Sequence, residues 1–270
     1  MKKYLALILA LAMGCSLLTA CGGGETEPAE DTTEETALVY AVEAGSAGEA
    51  TAAENGFEYN SVASQADALM EVASGTSDAA IIDLLMAGAM IGEGTSYPDM
   101  VTGEELTTEE YGAGCRVDSD LTAYINWVMA EAYADGTMQT IAETYGVQAA
   151  LVEQAAMEEP EIAADGDIAY IQDKGVLVVG ITDFEPMDFK DENGEWIGFD
   201  ADMARLVAEK LGVEIQFVEI DWDTKIKEQE SKSIAVVWNG MTLTAEVTAA
   251  MNCTNAYCNN AQVVVLPAAE

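Results

Sequence analysis

The chain has 270 residues, half of them hydrophobic, and its 49 acidic against 10 basic residues give a formal net charge of −39. This charge argues against nucleic acid or an anionic lipid surface as a partner, because both are negative themselves. Histidine is absent, which removes the commonest metal ligand and general base, and no cysteine cluster has zinc spacing. The composition is typical of a secreted globular protein.

The N-terminus has the layout of an export signal with a lipid attachment site. Lys2 and Lys3 precede an apolar run over residues 5–18, and small residues follow directly before Cys21. The run is too short to span a bilayer, and small residues before a cysteine are typical of a lipobox. We expect residues 1–20 to be a lipoprotein signal peptide and Cys21 to carry a lipid such as palmitate. The protein would then be exported and anchored on the outer face of the cell membrane; an ordinary signal peptide is the alternative.

Residues 21–37 are expected to form a flexible acidic stalk, because residues 22–36 (GGGETEPAEDTTEET) contain no large apolar side chain that could pack. Roughly 235 residues remain, which is enough for two modest lobes or one large domain. Cys115, Cys253 and Cys258 lie in this part, and for the last two a bridge and free thiols are both open.

Short strands alternate with helices along the rest of the chain, which is typical of an α/β fold. The predicted strands cover residues 38–44, 57–60, 79–82, 100–106, 176–181, 213–218, 234–238 and 262–266. The predicted helices cover residues 47–54, 65–73, 84–91, 119–133, 137–145, an alanine-rich stretch after 146, 167–174, 201–211, 222–231 and 245–251.

Residues 180–202 (GITDFEPMDFKDENGEWIGFDAD) combine the end of a strand, a Phe-x-Pro loop, a turn at Asn193 and Gly194, and the start of an amphipathic helix. These features resemble the opening of an extracytoplasmic solute-binding protein of the amino-acid ABC-transporter family (family 3), which has the type II periplasmic-binding-protein fold. Residues 111–146, with YGAGCR, a helix, Ala-Asp-Gly-Thr and a second helix ending in Tyr-Gly, resemble the C-terminal end of the same family.

The order of these two segments is reversed relative to that family, so the resemblance implies a circularly permuted chain. The expected fold is α/β and two-lobed, with residues 38–106 as lobe two and residues 107–266 as lobe one. A permutation linker at about 157–166 would join the family's usual C-terminus to its usual N-terminus. A single covalent connection between the lobes is expected near residues 105–110. A piece of a tandem array and a lobe-swapped dimer are the alternatives.

The resemblance also implies a site for a free amino acid, which needs an anion for its ammonium and donors for its carboxylate. Asp83 ends the strand DAAIID and matches the family carboxylate that takes the α-ammonium; the alternative is that it caps the next helix. Ser46 lies in the turn 45–48, whose N–H groups at a helix N-terminus favour an anion. Glu43 matches a position that often faces the ligand side chain, where an acid favours a polar or cationic group.

Lobe one is expected to supply the opposite wall of this site. Gly240 and Thr242 match positions that present a backbone carbonyl and a hydroxyl to the ligand. Phe184 and Trp222 match the two aromatic residues that sandwich it, although either one alone is as well explained as a core residue. No catalytic residue, metal ligand or cofactor is expected.

One departure from the family concerns the carboxylate of the ligand. The usual motif runs Thr-x-Thr-x-Glu-Arg, and its arginine binds the ligand carboxylate in a bidentate manner. Here Val247 occupies the position of that arginine. Three readings follow: backbone N–H groups and hydroxyls hold the carboxylate, another cation such as Arg116 holds it, or the ligand lacks an α-carboxylate.

The function implied by the resemblance is that of a lipid-anchored solute-binding protein. It would close by hinge motion on a small polar solute, in first place an amino acid, and deliver it to an ABC permease. A solute-sensing lipoprotein that acts on a receptor and a non-binding paralogue are the alternatives. A dehydratase-like enzyme is disfavoured, because the chain has no histidine and no evident second carboxylate facing Asp83.

Overall fold

Two mixed five-stranded sheets organise the residues that the computed structural model describes, which are residues 37–269. The predicted signal peptide, the lipidation site Cys21 and all of the predicted stalk before Ala37 lie outside the described residues. Within residues 37–269, no helix combines the length and the apolar character that a membrane crossing requires.

The bounds of the elements follow the alternation expected from the sequence. The strands are β1 (Val39–Glu43), β2 (Glu58–Val62), β3 (Ala79–Asp83), β4 (Met100–Glu105), β5 (Glu109–Tyr111), β6 (Gly114–Cys115), β7 (Val176–Ile181), β8 (Phe189–Lys190), β9 (Trp196–Ile197), β10 (Glu214–Glu219), β11 (Val236–Val237), β12 (Asn252–Cys253), β13 (Cys258–Asn260) and β14 (Gln262–Pro267). The helices are α1 (Ala47–Asn55), α2 (Gln65–Ser74), α3 (Leu84–Met90), α4 (Leu121–Asp135), α5 (Thr137–Thr144), α6 (Asp167–Lys174), α7 (Phe199–Leu211), α8 (Lys225–Glu230) and α9 (Ala245–Ala250).

The first sheet has the strand order β2-β1-β3-β14-β4. Strand β1 pairs in parallel with β2 and β3, whereas β14 runs antiparallel to β3 and β4. The connecting helices α1 and α2 begin where Ser46 and Ser64 accept N-cap hydrogen bonds, and end at Gly56 and Gly75, which have positive φ. Serine and glycine therefore mark both ends of each helix in the sequence.

The second sheet repeats this plan with the order β10-β7-β11-β6-β12. Strand β7 pairs in parallel with β10 and β11, and β6 runs antiparallel to β11 and β12. In both sheets, three parallel strands are extended by an antiparallel strand from a distant part of the chain. The carboxyl ends of parallel strands meet at one edge of a sheet, where ligands of open α/β sheets bind.

Helix α7 shows how the sequence pattern builds the core of the second sheet. Its residues Phe199, Met203, Val207 and Leu211 recur every four positions and are all buried. Residues at this spacing lie on one face of a helix, so the apolar stripe packs against the sheet and neighbouring helices. The helix contacts β7 and β10 on one side and α4 and α5 on the other.

The last strand corrects the expected division into lobes. Residues 262–266 were predicted to end lobe one, but β14 lies in the first sheet, with Gln262 opposite Asp83 and Pro267 opposite Met100. Its valines are buried between β3 and β4. A strand this apolar is typical of the interior of a sheet. The chain therefore passes between the sheets twice, from β4 through β5 to β6 and from β12 through β13 to β14, with β5 and β13 paired to each other, and the prediction of a single connection was wrong.

The segment after Gly146 also differs from its prediction. Instead of an alanine-rich helix, it has one 3-10 turn over Gln148–Ala150, a bridge at Leu151 and then chain without regular secondary structure. The Val152 N–H donates to the Tyr257 carbonyl at 2.8 Å, and Leu151 forms a bridge with Cys258. Pairing with β13 therefore overrides the helix propensity of this stretch. The thiols of Cys253 and Cys258 are free.

Candidate functional site

A cleft of about 730 Å³ lies between the two sheets, at the carboxyl ends of their parallel strands. One wall comes from the ends of β1 and β3 and from the start of α1, and the other from the segments that follow β7, β10 and β11. The structure brings together in this cleft all of the ligand-binding residues expected from the sequence, namely Glu43, Ser46, Asp83, Phe184, Trp222, Gly240 and Thr242.

Asp83 is buried at the back of the cleft and is held by several neutral donors. Its Oδ1 accepts hydrogen bonds from the Tyr111 hydroxyl at 2.7 Å, from Gln262 at 3.2 Å and from Asn260, and its Oδ2 accepts one from Gln65. Burial and the charge of nearby Glu109 raise the pKa of Asp83 to about 7, although these hydrogen bonds counteract the shift. Asp83 precedes α3, but its side chain makes no capping hydrogen bond there.

Two further carboxylates accompany Asp83. Glu43 ends β1, and burial, followed by the charge of Asp83, raises its pKa to about 8. Glu109 lines the same cleft and accepts hydrogen bonds from Gln262 and from the Thr242 hydroxyl, each at 3.0 Å. The expectation that no second carboxylate lies near Asp83 is therefore wrong, because Glu109, at the start of β5, lines the same cleft and its charge acts on Asp83.

The turn before α1 leaves backbone donors unused. The Gly45 N–H donates to Glu49 at 2.8 Å, the Ser46 N–H donates to the Glu43 carbonyl at 3.2 Å, and Ser46 Oγ accepts from the Glu49 N–H at 3.1 Å. Within residues 37–269, the N–H groups of Ala47 and Gly48 have no hydrogen-bond partner. Such orphan donors at a helix N-terminus favour a negative group.

The two aromatic residues belong both to the cleft and to the core. Phe184 is 3% exposed and meets the Tyr111 ring edge-on, with centroids 6.4 Å apart. Gly240 is what makes room for it, because a Cβ there would overlap the Phe184 ring. Trp222 packs in an apolar cluster that includes Val247. Each aromatic residue therefore shows only part of its surface to the cleft.

Gly240 and Thr242 are fixed by carboxylates. The Gly240 N–H donates to Asp200 Oδ2 at 2.6 Å, and the same oxygen accepts a hydrogen bond from the Tyr257 hydroxyl at 2.6 Å. The Thr242 hydroxyl donates to Glu109 at 3.0 Å. The loop after β11 is thus tied to the core by Asp200 and to the cleft by Glu109.

Arg116 does not reach the cleft, so its suggested role as the replacement for the missing arginine was wrong. It pairs with Asp167 at 3.1 Å and donates to the carbonyls of Ile234 at 2.9 Å and Gln229 at 3.3 Å. The guanidinium of Arg116 is therefore engaged by residues on the side of the second sheet. Val247 does line the cleft, as an apolar wall.

Lys225 is the basic residue that lines the cleft in the described part of the chain. Its Nζ donates to the Gly45 carbonyl at 2.7 Å and to the Trp222 carbonyl at 3.2 Å, and it lies 4.7 Å from the centroid of the Trp222 ring. Burial lowers the pKa of Lys225. The sequence analysis missed this residue, since nothing in the pattern of α8 separates it from the exposed Lys227.

Comparisons with known proteins find similarity over one part of the chain. Residues 177–270 match the family model described as bacterial extracellular solute-binding proteins, family 3. The L-cystine-binding protein TcyJ of Escherichia coli is 34% identical over 93 residues, which are 34% of this chain and 35% of that protein. The arginine-binding extracellular protein ArtP of Bacillus subtilis is 35% identical over 74 residues, 27% of this chain and 29% of that protein.

One of the similar proteins is named as an enzyme. Cyclohexadienyl dehydratase of Pseudomonas aeruginosa is 30% identical over 98 residues, 36% of this chain and 35% of the enzyme. Among solved structures, the arginine-bound form of domain 1 from TmArgBP is 35% identical, with 34% of this chain and 82% of that chain covered and a TM-score of 0.29. The chain spans about a third of the length of the curated relatives it matches. Residues 177–270 of this chain are thus similar to the bacterial extracellular solute-binding proteins of family 3.

Proposed function

We propose that the protein captures a small polar solute, in first place an amino acid, in the cleft between its two sheets. It would do so as an exported, lipid-anchored protein that hands the solute to an ABC importer. One observation carries the proposal: residues far apart in the sequence converge on one cleft that has carboxylates at its back and free N–H groups at the start of α1. A volume of about 730 Å³ is within the range of small-molecule sites.

The charges of the cleft favour a cationic amino acid. After burial, the charge of Asp83 raises the pKa of Glu43 and the charge of Glu109 raises the pKa of Asp83, whereas Lys225 is the one basic residue that lines the cleft in residues 37–269. A bound ammonium or guanidinium would relieve the repulsion among these carboxylates. The printed names of relatives include arginine-binding and cystine-binding proteins, and both solutes carry ammonium groups.

A thermal-shift screen of the purified protein against the common amino acids tests this proposal. A ligand at a hundred times its Kd adds about 2.7 kcal/mol to the free energy of unfolding, which raises Tm by a few degrees. We expect a selective rise with arginine, lysine or cystine. A well-folded sample whose Tm responds to no amino acid would contradict the proposal and favour the non-binding paralogue.

We infer circular permutation as part of this proposal, because residues 111–146 resemble the family's C-terminal end and yet precede residues 180–202, which resemble its opening. Lobe two would comprise the first sheet, residues 38–106 together with β14, and lobe one the rest up to residue 261, with the linker at about 157–166. The family match confined to residues 177–270 and the repeated plan of the two sheets support this division. The two connections between the sheets would form the hinge.

Closure about that hinge predicts a change of shape on binding. Small-angle scattering of the protein with and without saturating arginine should show a smaller radius of gyration in the bound sample. An unchanged scattering curve at a concentration that saturates the thermal shift would contradict hinge closure, but not binding.

A guanidinium at Val247 should strengthen the binding of solutes that carry a carboxylate. Val247 lines the cleft and is 5% exposed, so Val247→Arg places a cation on the wall beside the loop after β11. A charge-assisted hydrogen bond contributes about 1.5–3 kcal/mol, which corresponds to roughly a tenfold tightening or more. Titration calorimetry with arginine measures it, and Val247→Met is the control for size. Equal affinities for the two variants would show that this position does not face the solute.

A dehydratase is the second candidate function, because the raised pKa values of Glu43 and Asp83 keep a proton available near neutral pH. Incubation of the protein with a cyclohexadienyl substrate, followed by the absorbance of an aromatic product, decides between the two. The binding proposal predicts no product; turnover that is lost in Glu43→Gln would replace it with the enzyme.

A further inference from the structure

Asp188 and Asp200 are two fully buried aspartates on the side of the second sheet, and each is 0% exposed. Within residues 37–269, both oxygens of Asp188 and the Oδ1 of Asp200 lack a hydrogen-bond partner, and no ion pair includes either residue. Arg205, whose charge acts on Asp188, is already engaged by Asp202 at 2.9 Å and by the Trp196 carbonyl. Three carboxyl oxygens are therefore buried without a donor.

A shared proton resolves this arrangement better than two negative charges do. Two ionised carboxylates would each lose their hydration and would repel one another, and no described cation pairs with them. A proton on one member removes one charge and turns that member into a hydrogen-bond donor. Asp200 is suited to be the ionised member, because its Oδ2 accepts from the Gly240 N–H and from the Tyr257 hydroxyl, each at 2.6 Å.

The ionisable groups around the pair agree with this assignment. Burial raises the pKa of Asp200 to about 7, although its donors counteract the shift. Burial, followed by the charge of Asp200, raises the pKa of Asp188 well above its ordinary value; Arg205 lowers it and Asp202 raises it further. Burial and then the charge of Asp200 also raise the pKa values of Tyr257 and Cys258, which are therefore neutral beside it.

Both aspartates belong to segments that form the wall of the cleft. The Phe184 N–H donates to the Asp188 carbonyl at 2.6 Å, and the Asp188 N–H donates to the Phe184 carbonyl at 2.9 Å, so Asp188 closes the turn that carries Phe184. Asp200 holds the N–H of Gly240, which lies against the Phe184 ring. A hydrogen bond between the two carboxyl groups would join the turn of Phe184 to the loop of Gly240 from behind the cleft.

We propose that Asp188 is protonated and donates a hydrogen bond to Asp200 Oδ1, and that this bond positions Phe184 and Gly240 against the bound solute. Asp188 does not line the cleft, so it is a positioning residue and not a ligand of the solute. The part of this inference that concerns the solute rests on the proposed function and deepens it. The part that concerns the proton can be tested without any solute.

Infrared difference spectroscopy of the protein at pH 8 tests the proton. The carbonyl stretch of a neutral carboxylic acid is separate from the bands of carboxylates, and the other acidic residues cancel between wild type and Asp188→Asn. We expect the difference spectrum to show one acid band that the variant lacks. Asp202→Asn removes a carboxylate that is paired with Arg205 and should leave this band in place. Loss of no acid band in Asp188→Asn would show that Asp188 is ionised, which overturns the inference.

Titration calorimetry with L-arginine tests the positioning role. An asparagine at position 188 can donate to Asp200 as a neutral carboxylic acid does, whereas a leucine has a similar volume but no donor. We expect the Kd of Asp188→Asn to stay within twofold of wild type and that of Asp188→Leu to increase about tenfold or more, as for the loss of a hydrogen bond to a charged group. A residue needed only for packing would give the leucine variant at least the affinity of the asparagine variant.

Two results of this titration would overturn the inference. They are equal Kd values for Asp188→Asn and Asp188→Leu, and a tenfold weakening in Asp188→Asn. If Asp188→Leu does not fold, the difference spectrum between wild type and Asp188→Asn is recorded again with saturating arginine; the acid band should shift, and an unchanged band would exclude the positioning role. A wild-type protein that shows the acid band but binds no amino acid would confirm the proton on Asp188 and overturn the proposed function instead.

Discussion

Gly45→Ala should lower the affinity for the solute roughly ten- to hundredfold while each sheet stays folded. A Cβ at Gly45 would lie 2.8 Å from Asp223 Cα and 3.3 Å from Asp223 Cβ, on the opposite side of the cleft. Backbone atoms cannot rotate away as a side chain can, so the two walls must separate. Overpacking of this kind typically costs about 1–3 kcal/mol, which corresponds to the expected loss of affinity.

Gly56→Ala provides a matched control for this prediction. Gly56 has φ +68° against +69° at Gly45, so an alanine meets the same backbone strain, but no heavy atom lies within 4 Å of its Cβ. Titration calorimetry with arginine should therefore give wild-type affinity for Gly56→Ala and weak binding for Gly45→Ala. Similar affinities of the two variants would mean that the contact between Gly45 and Asp223 does not belong to the bound state.

The protein should lose stability as pH rises from about 4 to about 8. Glu43 has a pKa of about 8 in the folded protein against an ordinary value of 4.5, and Asp83 one of about 7 against 3.8. The folded state thus binds these protons more tightly than the unfolded state does. Their contribution is complete below the ordinary values and is lost as pH rises through the folded ones. We expect a loss on the order of a few kcal/mol.

Urea unfolding of wild type and Glu43→Gln at several values between pH 4.5 and pH 8.5 measures this effect. Glutamine cannot ionise, so the free energy of unfolding of Glu43→Gln should fall less steeply with pH. A slope remains, because Asp83 and the buried Asp200, whose pKa is also raised to about 7, still titrate. Stability that rises with pH over this range, or identical slopes, would contradict the account.

The same linkage applies to binding. A cationic solute favours ionised carboxylates, so the affinity for arginine should increase as pH rises through 7 and 8, opposite to the trend in stability.

Much of the fold could be predicted from local pattern. The apolar run of β7 and the four-residue repeat of α7 indicated their elements directly, and serine and glycine marked the ends of α1 and α2. The partner of β14 could not be read in this way. A short run of valines fits any buried strand position, and only the space between β3 and β4 decides which sheet receives it.

The candidate site was predictable where a residue follows a strand of a familiar motif, as for Asp83, Phe184 and Gly240. Glu109 and Lys225 were missed for a physical reason. Glu109 begins β5, whose partner β13 comes from a distant part of the chain, and Lys225 is covered in part by Gly45 from the other side of the cleft. Contacts between distant segments leave no periodic signal in the sequence.

A crystal structure of the protein grown with L-arginine tests the central claim most directly. The account predicts one arginine between the two sheets, with its cationic groups toward Glu43 and Asp83. Arginine bound elsewhere on the molecule, or an empty cleft at a saturating concentration, would contradict it.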